Sequence, residues 1–281
     1  MGSTTNRVML LIAQRPLTVA VAAVALAAVT VLFPVHVFAQ PVSEAKPTIV
    51  LVHGAFAESS SWDKVTTRLL VKGYPVVAVA NPLRSLKLDA SYVASVVDAI
   101  KGPVILVGHS YGGSVITNTV TDRNHVRALI FVAGFAPDEG ESTAALAGRF
   151  PGSTLGSALA PPVPLGDGGV DLYIAQKSFR AQFAADLPIA AAELMAVAQR
   201  PIAAAAIDEP VATPAWKTIP SWFVFGELDK NIPQAAQQFM AKRAGSKRTI
   251  VVKGASHVVM VSHPESVVTL IDDAATATTH Q

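Results

Sequence analysis

Between Gly108 and Gly112 the chain reads Gly-His-Ser-Tyr-Gly, directly after the apolar run Val104-Ile105-Leu106-Val107. A serine among glycines at the end of a buried strand has a specific chemical use. The small residues permit a sharp strand-to-helix turn that holds the hydroxyl out as a nucleophile. A serine hydroxyl reacts poorly until a base takes its proton, and the base needs a carboxylate to fix its tautomer. Ser110 as a nucleophile therefore requires a histidine, an acid and two oxyanion donors elsewhere in the chain. Without them the stretch is a tight turn and nothing more.

Seven histidines are available. His257 lies in KGASHVVM, just after the last apolar strand, and so on the edge that carries Ser110; it is the expected base. His263 opens a helix beside Pro264 and is expected at the surface, while His53 and His109 are committed to turn geometry. His36, His125 and His280 fall in an N-terminal apolar segment, before a strand and at the tail. For the acid, FGELDKNIP follows another strand, and Asp229 sits in its loop where a carboxylate can reach His257. Glu227 and Asp138 are its rivals. One oxyanion donor is the backbone N–H of Tyr111, the residue after the nucleophile. The other belongs to the loop after the first strand, LVHGAF, with Ala55 as the donor and Phe56 as its rival.

Those residues need a frame that brings them to one edge. TIVLV (48–52), PVVAVA (75–80), VILVG (104–108) and ALIFVAG (128–134) are short apolar strands. They alternate with amphipathic segments, 60–73, from Asp89 to Ile100, and 114–120. Fully apolar strands in this rhythm indicate a parallel sheet covered by helices on both faces. The rhythm stops over 136–217, where proline-rich APPVPLGDGG and alanine-rich AAAELMAVAQR read as a helical cap inserted over the sheet. It resumes with SWFVFG (221–226), a helix at 234–243, TIVVKG (249–254) and a last helix from Pro264 to about Ala275. The expected fold class is therefore α/β, with about six strands and a helical cap.

Composition narrows the function. Arg7 and Arg15 precede the uncharged run Leu17 to Phe33, and Val37-Phe38-Ala39 offers a cleavage site. Residues 1–39 are expected to be a secretory signal, leaving 40–281 as one periplasmic or secreted domain. A membrane is a partner only if that segment is retained as an anchor. Setting aside Arg7 and Arg15 leaves 20 basic against 20 acidic residues, with no basic block, which argues against nucleic acid. The absence of cysteine excludes disulfides and thiol catalysis. No histidine pattern has metal-ligand spacing, so neither metal nor other cofactor is expected. The sequence leaves the oligomeric state open.

The pieces IVLVHGAF, SSSWDKV, GHSYGG, IFVAGFAPDEGES, FVFGELDKNIP and KGASHVVMVSHPESV together resemble the α/β-hydrolase superfamily. Within it they are similar to the plant methyl-ester esterases and hydroxynitrile lyases with their bacterial relatives. The resemblance runs from residue 48 to about 270, with a gap over 142–215. It implies a Ser110–Asp229–His257 triad with oxyanion donors Ala55 and Tyr111. One position departs from it: the lyases of that branch carry lysine directly after the triad histidine, and this chain has Val258. The expected activity is cleavage of small apolar carboxylic esters through an acyl-enzyme, with Phe135, Leu172, Tyr173 and Phe179 as candidates to line the cleft. A triad-dependent lyase or perhydrolase, and a binding protein that does not hydrolyse its ligand, are the alternatives.

Overall fold

A computed structural model describes residues 46–119 and 125–279. The expected signal segment, with His36, lies outside the described residues, as does His280. In chain order the first half runs β1 (Thr48–Val52), a 3-10 turn (Ser59–Trp62), α1 (Asp63–Val71), β2 (Val76–Val79), α2 (Leu86–Asp98), β3 (Val104–His109), α3 (Tyr111–Thr119) and β4 (Val126–Val132). After the cap come β8 (Ser221–Gly226), α9 (Gln234–Arg243), β9 (Thr249–Val252), α10 (Val259–Ser262) and α11 (Pro264–Thr278).

The six main strands form one sheet in the order β2-β1-β3-β4-β8-β9. Every pairing in it is parallel. Ile49 to Val52, Val104 to Val107 and Ala128 to Val132 are buried to 5 % exposure or less, because helices cover both faces of these strands. Phe131 on β4 stacks on Phe223 of β8, ring centroids 4.6 Å apart, in the middle of that core. The connections from β1 and β3 leave toward opposite ends of the sheet, which opens a crevice beyond their carboxyl ends. The loops at His53–Ala57 and at Ser110 face that crevice.

Two helices begin earlier than their sequence patterns suggest. α2 starts at Leu86 rather than Asp89 because the Ser85 side chain accepts a hydrogen bond from the Leu88 N–H and caps the first turn. α3 starts at Tyr111 rather than Ser114, with no spacer after Ser110.

The cap contains α4 (Thr143–Gly148), α5 (Leu155–Ala158), β5 (Val163–Pro164), β6 (Val170–Leu172), α6 (Gln176–Phe183), α7 (Ile189–Ala198), β7 (Ile202–Ala203) and α8 (Ala204–Asp208). It is therefore not helical throughout: β5, β6 and β7 make a small antiparallel sheet. Strands of two or three residues carry no readable alternation, so only the GDGG turn marks them. There the Leu165 N–H donates to the Gly169 carbonyl at 2.8 Å, and Gly168 takes φ +86°, open to glycine at little cost.

Arg84, just before α2, ties this sheet to the main body. It pairs with Asp171 of β6 at 2.6 Å and donates to the Pro201 carbonyl at 3.1 Å. Among the described residues no helix is long and apolar enough to cross a membrane.

Candidate active site

Ser110 joins β3 to α3 with φ +52°, a left-handed conformation that costs a non-glycine residue about 1–3 kcal/mol. The backbone holds it there. Its N–H donates to the Val132 carbonyl at 3.2 Å, and its carbonyl accepts from Gly113 at 2.9 Å and Phe135 at 3.1 Å. The two glycines after it allow a close approach. A Cβ on Gly112 would stand 2.4 Å from the Val52 carbonyl oxygen, and one on Gly113 2.4 Å from that of Phe135.

The loop after β1 presses against this turn. A Cβ on Gly54 would lie 2.7 Å from Ser110 Cβ and 3.0 Å from the Tyr111 nitrogen. The next two residues differ in what their N–H groups do. The Phe56 N–H donates to the Arg200 carbonyl at 2.9 Å and is thereby taken up. The Ala55 and Tyr111 N–H groups have no acceptor among the described residues, and both residues line the cavity at Ser110. Of the two candidate donors after Gly54, the Phe56 N–H is thus engaged and the Ala55 N–H is not.

His257 and Asp229 meet as a fully buried pair, Nδ1 to Oδ2 at 2.7 Å. Asp229 Oδ1 accepts from the N–H groups of Asn231 at 2.8 Å and Ile232 at 3.0 Å. Oδ2 also accepts from Gln237 Nε2 at 3.3 Å. A carboxylate so placed accepts a hydrogen bond from His257 Nδ1–H and so fixes the proton on Nδ1, which leaves the Nε2 lone pair free. That Nε2 is buried and has no hydrogen-bond partner. No hydrogen bond joins it to Ser110 Oγ in this structure; unliganded sites commonly hold such pairs loosely.

Two rings fix the imidazole. Phe183 of α6 stands edge-on to it at 5.0 Å, and His109 lies tilted at 4.7 Å. His109 Nε2 also donates to the His257 carbonyl at 3.2 Å. Val258, which follows, is fully buried and places no charge beside the pair.

The rival acids are occupied elsewhere. Asp138 accepts from Lys217 at 2.6 Å; desolvation opposes ionisation, but that bond and the lysine charge hold the carboxyl below its usual range. Glu227 is exposed and accepts from the Gly254 N–H at 3.0 Å. His263 is partly exposed, with Nδ1 2.9 Å from Ser262 Oγ, and His125 reaches the Val97 carbonyl at 3.3 Å.

A cavity of about 120 Å³ opens at Ser110, walled by Phe135, Leu172, Phe183, Ile202 and Ile207 among others. Phe135 and Leu172 are where the sequence reading put them. Tyr173 borders a different cavity, and Phe179 is buried behind Phe183, ring centroids 5.0 Å apart. The aromatic that reaches the site is thus one helical turn beyond the expected one. Gln237 was also missed, since a glutamine on an alanine-rich helix gives no sign of facing inward.

His53 forms a further support that the sequence concealed. Its Nε2 accepts from the Asn81 N–H at 3.0 Å, its Nδ1 donates to the Gly54 carbonyl at 2.9 Å, and Asn81 Nδ2 donates to the His53 carbonyl at 2.9 Å. Burial pushes its pKa down to about 4; the bond to Gly54 opposes the shift and the Arg200 charge adds to it. Burial also holds His109 well below the usual value, with His257 adding to the effect.

Both rings stay neutral in the native protein where the unfolded chain binds protons. Stability is therefore expected to fall as pH drops from about 6.5 toward 4, with His53 alone contributing on the order of 3 kcal/mol. Urea midpoints at pH 7 and pH 4.5 measure this. His53→Gln should flatten part of the slope, and an unchanged slope would show that His53 is not its source.

Few sheets place a left-handed serine and a buried histidine–aspartate pair on one edge in the chain order Ser, Asp, His. Those that do make up the α/β-hydrolase class. The alpha/beta hydrolase family model matches residues 49–270, and the chain belongs to that family.

Curated relatives include the alpha/beta hydrolase nvfD of Aspergillus novofumigatus, 28 % identical, covering 82 % of this chain and 97 % of the relative. The alpha-hydroxynitrile lyase of Arabidopsis thaliana is 23 % identical over 83 % of this chain and 98 % of its own length. Among solved structures, polyneuridine aldehyde esterase superposes with a TM-score of 0.71 at 20 % identity, covering 82 % of this chain and 99 % of that one. A pyrethroid hydrolase from Sphingobium faniae JZ-2 does so at 0.66 and 24 %, covering 82 % and 98 %.

Proposed function

We propose that the protein is a serine esterase that cleaves small apolar carboxylic esters through an acyl-enzyme on Ser110. The observation that carries the reading is the buried His257–Asp229 pair, 2.7 Å apart, whose free Nε2 lies on the edge that bears Ser110. In this reading His257 Nε2 takes the Ser110 proton as Oγ attacks the ester carbonyl. The carbonyl oxygen gains the charge and accepts from the Ala55 and Tyr111 N–H groups. Collapse breaks the bond to the alcohol oxygen, which leaves with the proton from His257. Water then repeats the cycle on the acyl-enzyme and releases the acid.

The apolar walls and small volume of the cavity favour short, uncharged acyl groups. The names of the esterase and the pyrethroid hydrolase among its structural neighbours agree with ester cleavage. Buried, neutral Val258 beside His257 disfavours cyanohydrin cleavage, since no cation stands there to receive a cyanide leaving group.

A panel of p-nitrophenyl esters from acetate to palmitate, run beside mandelonitrile cleavage, tests the proposal. Multiple turnovers on the short esters with no benzaldehyde from mandelonitrile are expected. Tight ligand retention without turnover would mark a binding protein instead.

A further inference from the structure

A second cavity, of about 250 Å³, lies on the far side of the loop after β1. Its apolar wall is Ala191, Leu194, Met195 and Ala198 of α7, faced by Val261 of α10. Phe56 borders this outer cavity and also the inner one at Ser110, and among the described residues no other lines both. Phe56 is 5 % exposed, and its ring stands edge-on to Phe183 of the inner cavity, centroids 6.2 Å apart. The backbone of Phe56 is fixed as firmly as its ring. It takes φ +60°, and its N–H is bonded to the Arg200 carbonyl just beyond α7.

We infer that Phe56 is a partition that sets the substrate length limit, and that the outer cavity is a binding arm for the distal part of a longer, uncharged chain. The inference rests on the esterase reading of Ser110. The class of ligand follows from the lining. The wall on α7 is apolar, whereas Glu58 and Asp63 on the opposite rim are exposed carboxylates that repel a chain ending in an acid. A hydrocarbon tail packs on the apolar wall and carries no charge for the carboxylates to repel. Alanine in place of Phe56 keeps the Cβ and the N–H, so the substitution adds no new strain at φ +60° and leaves the bond to Arg200 in place.

The test is the ratio of kcat/KM for p-nitrophenyl octanoate to that for acetate, in the native protein and in Phe56→Ala. One methylene in an apolar pocket is worth about tenfold or more in discrimination, so opening the partition should raise the ratio at least about tenfold. Ala198→Trp added to Phe56→Ala refills the outer cavity from an exposed position and should reverse the gain. If Phe56→Ala does not fold, Phe56→Leu replaces it and should move the ratio the same way by less. A variant that turns over acetate with a ratio within about twofold of the native one overturns the partition and leaves the esterase reading intact. A native protein that hydrolyses no ester on the panel removes the reading, and the inference with it.

Discussion

Ser110→Ala is expected to lose on the order of 10⁶ in kcat on p-nitrophenyl acetate, as loss of a hydrolase nucleophile does elsewhere. The fold should survive, because every bond that holds the turn comes from the backbone. The Ser110 N–H goes to Val132, and its carbonyl accepts from Gly113 and Phe135. Alanine at φ +52° is no more strained than serine, and the glycines that allow the close approach are untouched. The comparison is kcat on purified protein whose thermal midpoint matches the parent. Activity above a tenth of the parent would sink the assignment of Ser110.

Asp229→Asn is expected to cost about 10⁴ in kcat, the size seen when the acid of a serine protease triad becomes an amide. The surroundings explain why so small a change should matter. Oδ1 is bound by two backbone N–H groups, from Asn231 and Ile232, so the amide oxygen of asparagine must take that place. Its NH₂ group then faces His257 Nδ1 and Gln237 Nε2, where the carboxylate used to accept. Two donors meet at Nδ1 unless the imidazole moves its proton to Nε2, and that tautomer cannot take the Ser110 proton. Glu227→Gln and Asp138→Asn should each lose less than about tenfold, since neither carboxylate lies in the proton path. The measurement is kcat for the three amides at pH 8 on one short ester. If Asp138→Asn is the crippled variant, Asp229 is not the acid.

The parts of the site that were legible in the sequence lie at the ends of regular strands. SWFVFG and the helix at 234–243 have the bounds read from their patterns, and Asp229 follows that strand by a short loop, which pinned its place on the edge. Ser110 was legible because its glycines report a backbone requirement rather than a side-chain preference.

The supports were not legible, for a different reason. Asn81 and Phe183 act through contacts made across long stretches of chain, and nothing near them in sequence reports the partner; Gln237 lies only eight residues beyond Asp229, but its helix pattern does not show that it faces inward. Asp89 shows the same limit. It reads as the polar start of a helix, yet it is fully buried and accepts from Tyr111 Oη at 2.9 Å. The small cap sheet escaped because its strands, two or three residues long, do not repeat the two-residue alternation.

β4 and β8 are neighbours in the sheet, with Leu129 opposite Ser221, although the whole cap lies between them in the chain. Beyond β4 the insertion leaves at Ser142 and returns at Pro210, which face each other in an antiparallel bridge, like a side chapel with a single doorway. The closure entropy of such a loop grows only logarithmically with its length, at about 0.6 kcal/mol per doubling. Ser110 precedes the doorway while Asp229 and His257 follow it, and the register of β4 on β8 joins the two sides. A different cap would leave Ser110, Asp229 and His257 on their own strands and loops, and would change the pocket walls together with Phe183, the ring packed on His257.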